Sequence, residues 1–305
     1  MRICSLLPGA TEVVAALGLA DELVGVSHEC DYPPEVRQKP VMVRGAIDSE
    51  RMSSAEVDER VRAALTDGQD LYALNETLFE QAQPDLVIAQ DLCHVCAVTP
   101  GQLQRALHAL PRLPEVLTLN PSRLDDIFGD IERIGTATGT VTEASALIAS
   151  LRSHLTSIRD RVARASRRPR VACLEWIDPL FAAGHWVPDM VAWAGGQNML
   201  GTAGAPSERV TWDQVVAVDP EVLVLMPCGF SIDRSRRELH RLRSNPGWAR
   251  LGAVRQRRVF AVDAGSFFSR PGPRLIDGVA LLAALLHPSL HGEHIFPGAE
   301  RIAEC

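Results

Sequence analysis

Gln83-Pro84-Asp85-Leu86-Val87-Ile88-Ala89 and Asp219-Pro220-Glu221-Val222-Leu223-Val224-Leu225 are the two stretches whose reading decides the fold. Each follows a helix-like segment, Phe79 to Gln83 in one case and Val215 to Asp219 in the other. Proline then breaks the helix, and an unbroken apolar run reads as a strand buried on both faces. The surrounding pattern also repeats. Each half opens with a strand after basic residues, Arg2 to Leu6 and Arg170 to Leu174. Each closes with a strand followed by a helix, Val116 to Leu119 and Val259 to Val262. Alternating strand and helix signals of this kind predict two parallel-sheet α/β lobes.

Between the halves, Thr142 to Ala165 contains neither Gly nor Pro. Ala146, Leu147, Leu151, Leu155, Ile158 and Val162 recur there at three- and four-residue spacing. The spacing predicts one long helix, ended by Arg167-Arg168-Pro169-Arg170, which would join the lobes stiffly. The expected organisation is an N-terminal lobe over 1–138, the connecting helix over 139–168, and a C-terminal lobe with tail over 169–305. A further amphipathic helix is expected from Ser53 to Leu65, with Ser53 and Glu56 at capping-box spacing.

The chain has 305 residues, 46% hydrophobic, with a formal net charge of −7, so it can fill two ordinary cores. An acidic balance argues against general nucleic-acid or anionic-membrane binding, and the arginines from 159 to 170 read as the solvated face of the connecting helix. The longest late apolar run, Val279 to Leu286, is too short to span a membrane. No targeting segment is read at the N-terminus. The expected location is cytoplasmic, or periplasmic if a leader has been removed. Seven cysteines, an odd number, argue against a disulfide framework.

Two of those cysteines form Cys93-His94-Val95-Cys96, just beyond the strand Leu86 to Ala89, and His28-Glu29-Cys30 follows Leu23 to Val26 in the same way. Thiolates at this spacing suit zinc or an iron–sulfur cluster. Cys30 would add a third thiolate and His28 or His94 a fourth ligand, given that the two strands are neighbours. The competing reading is ordinary buried cysteines, which pack like small hydrophobes. A thiol-dependent redox enzyme is a reading of another class. Against it, the next helix starts at Thr99-Pro100, leaving Cys93 far from the helix N-terminus that would activate it. Cys228 follows the strand Val222 to Leu225 and is read equally as ligand-facing or structural. His287, His291 and His294 form a tail read as a flexible, solvated end. No nucleophile elbow, Walker loop or His-Glu-x-x-His motif is present, and Gly195-Gly196 reads as a helix C-cap.

Further segments carry a resemblance. They are Ser5-Leu6-Leu7-Pro8-Gly9-Ala10-Thr11-Glu12 with Ala16-Leu17-Gly18, then Val24-Gly25-Val26-Ser27 with Asp31-Tyr32-Pro33-Pro34, and Pro84 to Ala89. In the second half they are Pro179-Leu180-Phe181 with Gly184, Ala194 to Asn198, and Phe268-Ser269-Arg270-Pro271-Gly272-Pro273-Arg274. Their order and spacing, from residue 2 to about 287, resemble the helical-backbone (class III) substrate-binding proteins of ABC transporters, and within them the cobalamin-binding branch.

The resemblance implies two lobes, a ligand in the cleft between them, and no catalysis. It implies cobalamin or a related corrinoid as ligand and an ABC permease as partner, and it gives the thiol-dependent enzyme of the alternative reading a second form, corrinoid processing. The ligand-contact positions it implies are Pro8, Tyr32, Trp176, His185, Trp186, Phe267, Phe268 and Arg270. A broad, partly apolar disc suits flat aromatic walls with polar groups at the rim. Three departures stand out. Ser266 replaces a cleft Asp, the permease-gripping acid of the first lobe falls on Thr77 beside Glu76 (Asp213 keeps that of the second), and the thiol loops and the segment around 50–75 lie outside the common pattern.

Overall fold

The computed structural model describes residues 1–90, 99–291 and 297–302. The chain folds as two compact units. The first comprises Met1–Met52, Glu56–Pro121 and Asp125–Ala149; the second comprises Ser53–Ala55, Ser122–Leu124 and Ser150–Cys305. The division falls inside the long helix, Val141–Val162, rather than at its two ends.

The first unit is built on β1 (Ile3–Ser5), β2 (Leu23–Ser27), β3 (Val41–Gly45), β4 (Tyr72–Leu74), β5 (Leu86–Gln90) and β6 (Glu115–Leu119). Their order in the sheet is β4-β3-β2-β1-β5-β6. All pairings are parallel except the edge pair β3–β4. Leu86, Val87 and Ile88 are buried, as a central strand covered on both faces requires.

The second unit contains β7 (Arg170–Trp176), β8 (Phe181–Ala182), β9 (Gln197–Asn198), β10 (Glu208–Arg209), β11 (Val222–Leu225), β12 (Val259–Val262) and β13 (Ala299–Arg301). The main path is β10-β8-β7-β11-β12-β13, with β9 paired to the start of β7. Its centre, β7-β11-β12, is parallel, whereas β8, β10 and β13 join antiparallel. Both sheets therefore have the parallel core expected, with antiparallel strands added at their edges.

The repeated Pro-acid motif has the same structural meaning in both units. The helices Glu76–Ala82 and Trp212–Val218 each end on a residue with positive φ, Gln83 (40°) and Asp219 (36°), immediately before the proline. Proline disfavours the right-handed helical conformation in the residue before it, so the helix stops there. The acid after the proline then accepts the backbone N–H that opens the first strand. Arg2 N–H donates to Asp85 Oδ2 at 2.8 Å, and Arg170 N–H to Glu221 Oε2 at 3.0 Å.

Two short segments are counted with the second unit because its acids hold them. Asp189 accepts Arg123 Nε and Nη2, each at 2.7 Å, and the Leu124 N–H at 3.2 Å. Glu238, 6% exposed, accepts the Ser54 N–H at 2.8 and 2.9 Å and the Ser54 hydroxyl. Ser54 begins the helix Ser54–Thr66, so a carboxylate meets otherwise unpaired N-terminal donors.

The tail is not a solvated end. His287 and Ile302 are each 7% exposed, and β13 pairs with β12. His294 lies outside the described residues. Among the described residues no helix is long and apolar enough to cross a membrane.

Candidate functional site

In the first unit the neighbouring parallel strands β2, β1 and β5 end at the same edge, where open α/β sheets bind ligands. Among the described residues, His28 to Tyr32 and Leu6 to Pro8 leave it. The assumption that β2 and β5 are neighbours is corrected here, because β1 runs between them. Two interstrand spacings, about 10 Å, separate β2 from β5.

Cys30 is 5% exposed, and its Sγ lies 3.1 Å from Thr11 Oγ1, which lies 2.8 Å from Ser5 Oγ. The thiol therefore joins a small buried polar cluster with the helix Pro8–Ala16. Cys4 is fully buried, and desolvation together with the nearby Cys30 pushes its thiol pKa well above the ordinary value. His28 is exposed and turned to a different partner. Its Nδ1 lies 3.2 Å from the Val43 carbonyl oxygen, and its ring tilts against Tyr72 at 6.1 Å. Cys93, His94 and Cys96 lie outside the described residues. Among the described residues, no group of three or more His, Cys, Asp or Glu side chains is placed to hold a metal ion. Tyr32 is 45% exposed, and Pro8 opens its helix half-buried.

In the second unit, β7, β11 and β12 end together in the same way. Their loops bring Trp176, the segment Met226 to Ser231, and the segment Asp263 to Arg274 to one edge. Hydrogen bonds join these loops: Cys228 N–H donates to the Glu175 carbonyl at 3.0 Å, and Gly229 N–H to Ser269 Oγ at 3.1 Å. Cys228 itself is exposed.

The structure divides the four aromatic residues expected at this edge. Trp186 (7% exposed) and Phe268 (3%) are buried, and the Trp186 indole Nε1–H donates to the Phe268 carbonyl at 2.8 Å. Trp176 and Phe267 keep part of their surface in solvent. Trp176 is fixed by its Nε1–H to the Ser54 carbonyl at 3.1 Å and by edge contact with Phe230 at 5.2 Å. Phe230 is in turn covered by the Arg234 guanidinium, 3.7 Å from its ring centre.

Asp263 caps the short helix Ala264–Phe267. It accepts the Ser266 N–H at 3.0 Å and the Ser266 hydroxyl at 2.8 Å. A carboxylate thus stands three residues before Ser266, in the loop where the resemblance places an acid. His185 sits half-buried at φ 47° beside Trp186, and burial lowers its imidazole pKa below the ordinary value. Arg270 is half-buried.

Ser54, Phe230 and Glu238 were not singled out by the sequence. Ser54 and Glu238 are 184 residues apart, and nothing local links them. Phe230 carried a usable signal, its place just beyond the carboxyl end of a buried strand.

Comparison with known proteins agrees with this architecture. The family model described as periplasmic binding protein matches residues 3–265. The chain is 26% identical over 296 residues to a protein of Vibrio cholerae named vitamin B12-binding protein, covering 93% of this chain and 88% of that one. It is 24% identical over 302 residues to an uncharacterized ABC transporter substrate-binding lipoprotein of Bacillus subtilis, covering 96% and 82%. Among solved structures, a periplasmic heme-binding protein from Pseudomonas aeruginosa superposes with a TM-score of 0.72 at 23% identity, covering 94% and 93%. The periplasmic vitamin B12-binding protein of Vibrio cholerae gives 0.68 at 23% identity, covering 95% and 98%. The expected cytoplasmic location has no counterpart in these names, which describe a lipoprotein and periplasmic proteins. With the family model spanning most of the chain and both units, this protein belongs to the periplasmic binding protein family, as a substrate-binding protein.

Proposed function

We propose that this protein is a non-catalytic binding protein for cobalamin or a related corrinoid. The observation that carries the reading is the division of aromatic residues in the second unit. Trp176 and Phe267 keep exposed surface at the carboxyl ends of β7 and β12, while Trp186 and Phe268 are spent on the core. The B12-binding relative, similar along nearly the whole chain, supports a corrinoid as the disc these faces would meet. The donor set suits such a ligand. Within the second unit, two aromatic surfaces and the Arg270 guanidinium combine flat apolar contact with a polar group for amide side chains.

Delivery to an ABC permease is part of the same proposal. Asp213 and Glu76 are exposed in the first turns of the two repeated helices. Thr211 and Asn75 cap those helices, so each acid is held on an ordered turn.

Titration with cyanocobalamin tests the reading. Binding should raise the thermal midpoint in proportion to the logarithm of ligand concentration. Trp176→Ala and Phe267→Ala should each weaken it. A native protein stabilised by hemin and not by cyanocobalamin would reassign the ligand, and one stabilised by neither would overturn the proposal.

A further inference from the structure

Beyond the helix Leu275–Leu286 the chain returns as β13, which runs antiparallel to β12 with Val262 opposite Ala299 and Phe260 opposite Arg301. Three contacts hold the returning strand. Ile302 is buried, the Arg301 guanidinium lies 5.7 Å from the Phe260 ring centre, and Arg236 Nη1 lies 3.6 Å from Glu300 Oε2.

Gly298, just before the strand, has φ +101°, a conformation that favours glycine. Its carbonyl accepts the Asp263 N–H at 2.9 Å. A Cβ on Gly298 would stand 2.5 Å from Cε2 and 3.0 Å from Cδ2 of Phe267, so the ring rests directly on the glycine. Gly278 leaves room for the Phe267 carbonyl in the same way. The return segment therefore touches both ends of Asp263–Phe267, holding the backbone at one end and the ring at the other.

We propose that the returning segment Gly298–Ile302 positions the ligand-facing loop, with Gly298 as a positioning residue that sets the orientation of the Phe267 ring and through it the affinity for the ligand. The inference rests on the reading of Phe267 as a ligand contact. Phe268, its neighbour, is buried and needs no such support, whereas Phe267 keeps exposed surface and is backed by a segment from the far end of the chain. An aromatic face recognises a flat ligand only at the right tilt and height, so a backing surface without a side chain fixes both.

A double-mutant cycle on Gly298→Ala and Phe267→Ala tests it, with cyanocobalamin affinity by calorimetry and a 19F label on the Phe267 ring. Gly298→Ala should shift the fluorine resonance in the ligand-free protein and weaken binding about tenfold, the scale of one aromatic contact. It should cost nothing further in the Phe267→Ala background. Ile302→Ala, which removes a buried side chain from the strand and keeps Gly298, should move both readouts the same way by less, and it decides the matter if Gly298→Ala does not fold. Equal losses in both backgrounds, or a displaced ring with unchanged affinity, would overturn the positioning role. Native affinity in Phe267→Ala would remove Phe267 from the site and this role with it. Absence of binding by the native protein would overturn the cobalamin reading, and an unshifted fluorine signal the positioning role.

Discussion

The Glu221 carboxylate accepts the backbone N–H of Arg170 at 3.0 Å and so fixes the start of β7, as Asp85 does for Arg2 at 2.8 Å. Its pKa lies below the ordinary glutamate value. The Arg170 N–H is the main cause, with the Arg167 and Arg170 charges adding to it against some desolvation. A depressed acid contributes stability above its unfolded pKa and loses it as pH falls through the folded value. Glu221→Gln should therefore cost about 2 kcal/mol at neutral pH, the scale of a hydrogen bond to a charged group. Urea unfolding should show the difference from the native protein shrinking below about pH 4.5.

Asp130 carries the opposite sign. Burial lifts its pKa to about 6, against the lowering effect of Arg133, whose Nη1 lies 3.4 Å away. The folded protein then holds more protons than the unfolded chain between about pH 4 and 6, and this group makes stability fall as pH rises through that window. Asp130→Asn should flatten the slope and raise stability at pH 7 by up to about 2 kcal/mol. Thermal midpoints measured from pH 4 to 7 would check it, and an unchanged slope would refute it.

Adjacent phenylalanines should behave differently. Phe268→Ala removes a buried ring and should cost about 3–5 kcal/mol in chemical unfolding. Phe267→Ala should cost about 1 kcal/mol and act mainly on cyanocobalamin affinity. Similar stability losses in the two variants would contradict the partition of the aromatic residues.

Glu238→Ala leaves the Ser54 N–H and hydroxyl without their acceptor and should destabilise the protein by about 2–3 kcal/mol. Ser54 also accepts the Trp176 indole N–H, so indole fluorescence should shift in the folded variant. Glu238→Gln, which keeps one acceptor oxygen, should lose less.

Much of the architecture is legible along the chain. The Pro-acid-apolar motif marks the ends of the helices Glu76–Ala82 and Trp212–Val218 and the starts of β5 and β11 within a few residues. The helix expected over 142–165 is Val141–Val162, and the one expected from Thr99-Pro100 is Pro100–His108, capped by Thr99. The helix expected over 53–65 is Ser54–Thr66. Gly195, with φ 79°, follows a helix end as its sequence suggested.

Sequence by itself determined these elements because each depends on forces among residues a few positions apart: proline sterics, capping hydrogen bonds and apolar periodicity. Tertiary structure alone decided the rest. It placed β1 between β2 and β5, moving Cys30 away from the strand that leads to Cys93. It buried Trp186 and Phe268 while leaving Trp176 and Phe267 part of their surface, a choice set by everything packed around them. It also brought Ser54 to Glu238 and Gly298 to Phe267. Burial and close approach between residues distant in sequence depend on the whole folded chain, and no local pattern encodes them.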